Sequence, residues 1–190
     1  QLEERLGYLF HDRSLLENAL THSSYANENK QKGEASNERL EFLGDSVLGM
    51  VVADHLFRSH PDMPEGELTR TRAALVCEES LVEVARKLEL GQYLKLGRGE
   101  DAGGGRQRPS IQADAVEAVI AAVYLDGGIG SARKFITSFI LTNNEREQEG
   151  GIRDYKTALQ ELVQRESGQV LSYRLTGESG PDHAKVFRVE

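Results

Sequence analysis

The chain has 190 residues, 38% of them hydrophobic, and carries 23 Lys and Arg against 31 Asp and Glu, a formal net charge of -8. This apolar fraction supports a packed core and excludes disordered and collagen-like classes. The acidic balance is a poor match to a polyanion, because cations that neutralise phosphates supply much of nucleic-acid affinity. Residues 152–190 hold six cations and six anions, so the whole acidic excess lies in residues 1–151. The single cysteine, Cys77, cannot form an internal disulfide, which fits a reducing cytoplasm. Its setting, Ala73-Ala74-Leu75-Val76, reads as a buried apolar one. No stretch reads as the ~18 apolar residues of a spanning helix, and Glu3, Glu4 and Arg5 do not fit a signal peptide. The expectation is a soluble cytoplasmic protein without a membrane partner.

Apolar spacing is helical from Leu2 to about Asn143 and predicts helices near 2–9, 12–20, 37–58, 65–76, 79–89, 109–126 and 130–146. Asp12 and Asn37 are expected N-caps, and Gly91 a stop after Leu90. Asn27 to Ser36 reads as a polar linker, and His60-Pro61-Asp62 as the break after the third helix. Gly97 to Pro109 reads as a flexible loop offering Arg98, Arg106 and Arg108 to backbone phosphates. Glu145 to Gly151 is a charged linker closed by Gly150-Gly151. Beyond it, Tyr155 to Glu166 reads as an amphipathic helix. Alternation over Val170 to Leu175 and Val186 to Val189 predicts two strands, with the turn-like Gly180-Pro181-Asp182 between them. One helix and two short strands cannot enclose a core, so this second module is expected to stop mid-fold.

The informative segment is Asn37-Glu-Arg-Leu-Glu-Phe-Leu-Gly-Asp45-Ser-Val-Leu-Gly49. At ~100° per residue, Glu38, Glu41 and Asp45 fall within an arc of about 60° on one helix face. A solvated face normally mixes in lysines, yet none occurs between Lys32 and Lys87. Phe42, Gly49 and Val52 border the stripe instead. Gly44 and Gly49 each cost about 1 kcal/mol in a helix interior relative to Ala, which points to another backbone close by. In Gln112-Ala-Asp114-Ala-Val-Glu117-Ala118, Asp114 and Glu117 share a face continued by Ala118 and Ala121, opposite Val116, Val119, Ile120 and Val123.

Facing one another, the two stripes would bring four or five carboxylates together. Such a cluster needs shared protons, Arg or Lys partners, or a divalent cation. Neither helix carries enough cations. Hard oxygen donors without His or Cys select Mg2+, Mn2+ or Ca2+ over zinc, and a carboxylate Mg2+ site usually works on phosphates. On spacing alone, Glu65 fits a capping box with Asp62 as well as a site role.

Other constellations carry less. Gly103-Gly104-Gly105 is followed by no Gly-Lys-Ser/Thr, the five histidines lack metal spacing, and His22 with Ser23 and Ser24 lacks the acid of a triad. A carboxylate-bridged di-iron bundle would need Glu-x-x-His elements, which are absent. A non-catalytic RNA binder would gain nothing from acids that repel phosphate.

The segment Asn37 to Leu48 resembles the signature of bacterial ribonuclease III, an endonuclease specific for double-stranded RNA. Supporting matches are Ala19-Leu-Thr-His-Ser-Ser-Tyr25, Glu65-Gly-Glu-Leu-Thr69, Leu96-Gly-Arg-Gly-Glu100, Ala113-Asp-Ala-Val-Glu-Ala118 and Tyr124-Leu-Asp-Gly-Gly128. Asp154-Tyr-Lys-Thr-Ala-Leu-Gln-Glu161 and Gly180-Pro-Asp-His183 resemble the first half of that family's double-stranded-RNA-binding domain. The resemblance implies a mainly α architecture, with an all-helical endonuclease domain over residues 1–147, a linker at 148–151 and an incomplete α+β RNA-binding domain over 152–190. It further implies Mg2+, replaceable by Mn2+, held by Glu41, Asp45, Asp114 and Glu117. Catalytic roles would fall to Asp45, Glu117, Glu38 and Glu65, and Phe42 would lie in a homodimer interface. Thr157, Gln160, Glu161 and His183 would contact the RNA. Cleavage would leave 5′-phosphate and 3′-hydroxyl ends, in processing of ribosomal RNA precursors and other structured RNAs. One departure is Gln112, which stands where the family usually has an apolar residue.

Overall fold

The computed structural model describes residues 1–142, 174–179 and 186–189. The chain divides into two compact units, Gln1–Glu147 and Gln148–Glu190. In the first, eight α-helices run in order among the described residues: α1 (Leu2–Leu6), α2 (Arg13–Ala19), α3 (Ser23–Glu28), α4 (Glu38–Ser59), α5 (Glu65–Leu75), α6 (Glu78–Leu88), α7 (Arg98–Ala102) and α8 (Pro109–Ile136).

The centre of this unit is α8. From Ile111 to Val123 every residue except Asp114 and Glu117 is buried. Burial on all sides is the mark of a core helix, so the apolar face read from Val116, Val119, Ile120 and Val123 extends around the whole cylinder. The helical run Pro109–Leu141 is in fact long and apolar enough by length and composition to cross a membrane, contrary to the sequence reading. Half of its most apolar window is buried inside the protein. Its most extensive partner is α4, which buries Leu40, Val47, Leu48, Val51, Val52 and Leu56. A second layer comes from α6, which packs against α8 and buries Leu81, Val82, Val84, Ala85 and Leu88.

Several boundaries differ from the sequence reading, each for a local reason. α1 stops at Leu6 because Gly7 adopts the left-handed conformation, φ 63°. α6 stops at Leu88 on Glu89, which takes φ 54°. Gly91 is not the stop; it sits in the turn Leu90–Gln92, where a Cβ would stand 2.7 Å from the Arg106 carbonyl oxygen. Gly128, at φ 75°, kinks α8 between the two helices expected there. α7 lies within the stretch read as a flexible loop, and α3 in a stretch between expected helices that only its last two residues share with the polar linker. Cys77 is half-buried, not buried: it precedes α6, and its Sγ–H donates to the Ala74 carbonyl.

Asp12 caps α2 as expected, accepting from Ser14 N at 2.9 Å. Asn37 precedes α4 but its side chain does not cap it. Buried to 4% exposure, it donates from Nδ2 to the Ala19 carbonyl, while its own N–H donates to Thr21 O at 2.8 Å. The start of α4 is thereby tied to the end of α2. At the far end of α8, the carboxylate of Asp126 accepts from Tyr8 Oη (2.7 Å), His11 N (2.9 Å) and Asp12 N (2.8 Å), fastening the α1–α2 connection to the core helix.

In the second unit, β1 (Leu175–Ser179) pairs antiparallel with β2 (Val186–Val189). The register sets Leu175 opposite Val189 and Ser179 opposite Val186. β1 begins where the expected strand was to end and continues through Gly177, with a bulge between Leu175 and Gly177 absorbing the irregularity. The helix expected at 155–166, with Thr157, Gln160 and Glu161, lies outside the described residues, as does His183.

Candidate metal centre

The site forms where α4 crosses α8. At the crossing Gly44 is buried against the backbone of Glu117, and a Cβ there would overlap the Glu117 carbonyl. The missing side chain lets α4 approach closely enough for side chains one turn away to meet. Glu41, Asp114 and Glu117 each offer a carboxylate oxygen, all within 4.8 Å of one another. The expected close approach at Gly49 is absent: nothing lies within 4 Å of a Cβ built there.

The electrostatics follow from this crowding. Burial pushes the Glu117 carboxyl up to about 7, and the charges of Asp45, Glu41 and Asp114 add to the rise. Burial also raises Glu41, reinforced by Asp114, Glu38 and Asp45. Asp114 is raised by burial, with His22 opposing and Glu78 adding. None of Glu41, Asp45, Asp114 and Glu117 has a Lys or Arg partner among the described residues. The three clustered donors are hard carboxylate oxygens, a set that could hold a divalent cation.

The remaining expected residues surround this group at different distances. Asp45 and Glu38 are exposed on α4 and act on the cluster through their charge, Glu38 accepting from Ser36 Oγ at 2.6 Å. Glu65 is exposed in the first turn of α5 and accepts from Thr69 Oγ1 at 2.8 Å. It forms no capping box and is not among the charges that act on the cluster. Phe42, at 77% exposure, stands on the outer surface of α4.

Two of the three loop arginines are not free for phosphates. Arg106 pairs with Asp101 and donates to the Gly91 and Leu94 carbonyls, while Arg108 pairs with Glu100 at 2.6 Å. Arg98 lines a polar cleft with Tyr25, Glu28, Asn29 and Leu96. Gln112 is buried and donates from Nε2 to the Arg106 carbonyl at 2.8 Å. A polar residue at that core position therefore clamps the loop ahead of α8. Glu78, at the start of α6, and His22, the cap of α3, escaped the sequence reading as charges acting on Asp114, since both lie far from it in the chain.

Comparison with known proteins agrees with this architecture. A family model described as Ribonuclease-III-like matches residues 12–144. Ribonuclease 3 of Pelotomaculum thermopropionicum is 52% identical over 187 residues, covering 98% of this chain and 78% of that protein. Ribonuclease 3 of Symbiobacterium thermophilum is 53% identical over 187 residues, again covering 98% and 78%. A structure of the nuclease domain of ribonuclease III from Campylobacter jejuni, concerned with flexibility in a region involved in dimer formation, superposes with a TM-score of 0.69 at 42% identity. It covers 75% of this chain and 95% of that one. Sequence identity along nearly the whole chain and a shared helical nuclease fold lead to one assignment: this chain belongs to the ribonuclease III family of endoribonucleases.

Proposed function

We propose that the chain is a Mg2+-dependent endonuclease of double-stranded RNA. The observation that carries this reading is the meeting of Glu41, Asp114 and Glu117 within 4.8 Å, with no protein cation paired to them among the described residues. These three, with Asp45 beside them, would hold the metal, and Mn2+ offers the same oxygen preference. When bound, the ion supplies charge neutralisation at the phosphodiester and a more acidic water. Without the ion the Glu117 carboxyl is pushed up to about 7, so filling the site with a cation would release that proton near neutral pH. Asp45 and Glu38 keep the rim of the site acidic and so favour a metal-loaded state over a bare one, and Glu65 is assigned to the rest of the cleavage surface. The water oxygen adds to phosphorus and the 3′ oxygen leaves with a proton, giving 5′-phosphate and 3′-hydroxyl ends.

Ribosomal RNA precursors and other structured RNAs in the cytoplasm are the natural substrates of such an activity. We assign residues 152–190 to the N-terminal part of a double-stranded-RNA-binding domain, with Thr157, Gln160, Glu161 and His183 as contacts to the A-form minor groove, where 2′-hydroxyls are exposed. The active form is a homodimer through the outer face of α4. Phe42, Met50 and Phe57 are exposed there at 77%, 51% and 72%, beside the open Gly49.

The test is cleavage of a long duplex RNA beside single-stranded RNA and duplex DNA in Mg2+, with end-group analysis. Duplex-specific cuts bearing 5′-phosphates are expected and should be lost in Glu117→Gln. Near-parental cleavage by that variant, or equal cutting of single strands, would overturn the reading.

A further inference from the structure

A polar cleft of about 590 Å³ opens between α3 and the segment before α7, lined by Tyr25, Glu28, Asn29, Leu96 and Arg98. Its floor is locked in place. Ser24 Oγ accepts from Gly97 N at 2.8 Å and Glu28 Oε1 from Arg98 N at 2.9 Å, which fastens the 97–98 backbone to α3. Only glycine fits at 97, because a Cβ there would stand 2.6 Å from Glu28 Oε1 and 2.9 Å from the Ser24 carbonyl oxygen. Asn29 Nδ2 donates to Tyr25 O at 2.9 Å and closes the end of α3. The cleft is therefore formed before any ligand arrives.

The polar groups along it are uncommitted. Among the described residues the Arg98 guanidinium makes no hydrogen bond or ion pair, whereas Arg106 and Arg108 in the same loop are spent on Asp101 and Glu100. The Tyr25 hydroxyl and Glu28 Oε2 likewise have no partner there. A cation and a carboxylate in one cleft disfavour simple occupants: Glu28 opposes a bare polyanion, and Arg98 opposes a metal ion. The pair suits a unit that sets an anion beside a hydroxyl. A ribose phosphate is such a unit, with phosphate oxygens for Arg98 and Tyr25 Oη and a 2′-hydroxyl that donates to Glu28. The carboxylate cluster is near. Thr21 O accepts from Asn37 N at 2.8 Å, so α3 and α4 start from one point. At ~1.5 Å per residue Asn29 lies about 10 Å along α3 and Glu41 about 6 Å along α4, which puts the cleft within roughly 20 Å of the cluster.

We infer that this cleft is a subsite for the RNA backbone, in which Arg98 and Tyr25 take a phosphate and Glu28 reads the adjacent 2′-hydroxyl, favouring RNA over DNA. This rests on the nuclease reading above. Three variants probe the groups singly. Arg98→Gln removes the charge and keeps the backbone N–H that Glu28 accepts, Tyr25→Phe removes only the hydroxyl, and Glu28→Gln keeps a carbonyl for Arg98 N. Affinity in Ca2+ is measured for duplex RNA across a salt series and for hybrids with either strand 2′-deoxy, beside thermal melts and Mn2+ calorimetry. Arg98→Gln is expected to raise Kd for duplex RNA about tenfold, the scale of one hydrogen bond to a charged group, and to lower the salt slope by about one. Tyr25→Phe should raise Kd about threefold, and Glu28→Gln should narrow the preference for RNA over the hybrids by about the same factor. Tm and Mn2+ affinity should stay parental in all three. Parental Kd and salt slope in Arg98→Gln, or a parental RNA preference in Glu28→Gln, would overturn the inference. So would a loss of Tm or Mn2+ affinity parallel to the loss of RNA binding, which would make the cleft part of the framework. If the parent cuts duplex RNA while the variants bind as it does, only the subsite fails. If the parent neither binds nor cuts duplex RNA, the nuclease reading itself fails and the inference falls with it.

Discussion

Gly44 lies against the backbone carbonyl of Glu117, and the space between the two helices admits no Cβ. This contact between main chains sets the approach of α4 to α8, and therefore the spacing of the carboxylates carried one turn away. Gly44→Ala is expected to force the helices apart at a cost of about 1–3 kcal/mol, seen as a Tm lowered by several degrees and weaker Mg2+ binding. Gly49→Ala meets nothing within 4 Å, and in the monomer it should be neutral or stabilising by up to about 1 kcal/mol from helix propensity. Equal melting of the two variants would refute this distinction.

Glu117 makes the metal-free protein sensitive to pH. Its folded-state value of about 7 lies above the ordinary 4.5, so the folded chain holds this proton more tightly than the unfolded chain does. The resulting stabilisation is full below the unfolded value and is lost as pH rises through about 7. Because the group is half-buried and solvent screens it, the loss is about 1–2 kcal/mol. Thermal melts in EDTA should fall between roughly pH 5 and 8.5, and Glu117→Gln should flatten the curve. A parent curve flat across that range would contradict the assignment.

A divalent ion that binds only the folded state stabilises in proportion to the logarithm of its concentration over Kd. Millimolar Mg2+ should therefore raise Tm, most strongly above pH 7, where the clustered carboxylates are ionised. Ca2+ should stabilise similarly and support RNA binding with little cleavage. An unchanged melt in Mg2+ would count against a preformed site.

The exposed row of Phe42, Met50 and Phe57 predicts self-association. Phe42→Glu should shift sedimentation equilibrium toward the monomer while leaving the monomer's helical content intact. A parent that sediments as a monomer at micromolar concentration would refute the interface.

Asp126 closes the far end of the first unit. Its burial alone would raise the carboxyl, but the N–H groups of Asp12 and His11 and the Tyr8 hydroxyl hold it below the usual carboxylate range. Asp126→Asn sets an amide NH2 against these donors and should lower Tm without changing Mg2+ affinity. The parent's contribution from this group is present above the unfolded value and is lost only in strong acid. Loss of Mg2+ affinity in this variant would show that the latch and the metal site are coupled.

Helical periodicity made much of this protein legible from its residues alone. Glu38, Glu41 and Asp45 on one face, and Asp114 with Glu117 on another, follow from the ~100° step of an α-helix, and so does the helical class of the first unit. What lies between distant segments was not legible, because periodicity assigns a face to each helix and not the neighbour that covers it. Packing decided that Gly44 and not Gly49 is the crossing point, and that Gly91 makes room for a carbonyl instead of ending a helix. It also tied Asn37 to α2, spent Arg106 and Arg108 on the loop that bears them, and oriented His22 through Ser24 and Gly97. The residue types of the acidic site were present in the sequence from the start. Which three of them meet was decided by the absence of one Cβ at the crossing of two helices.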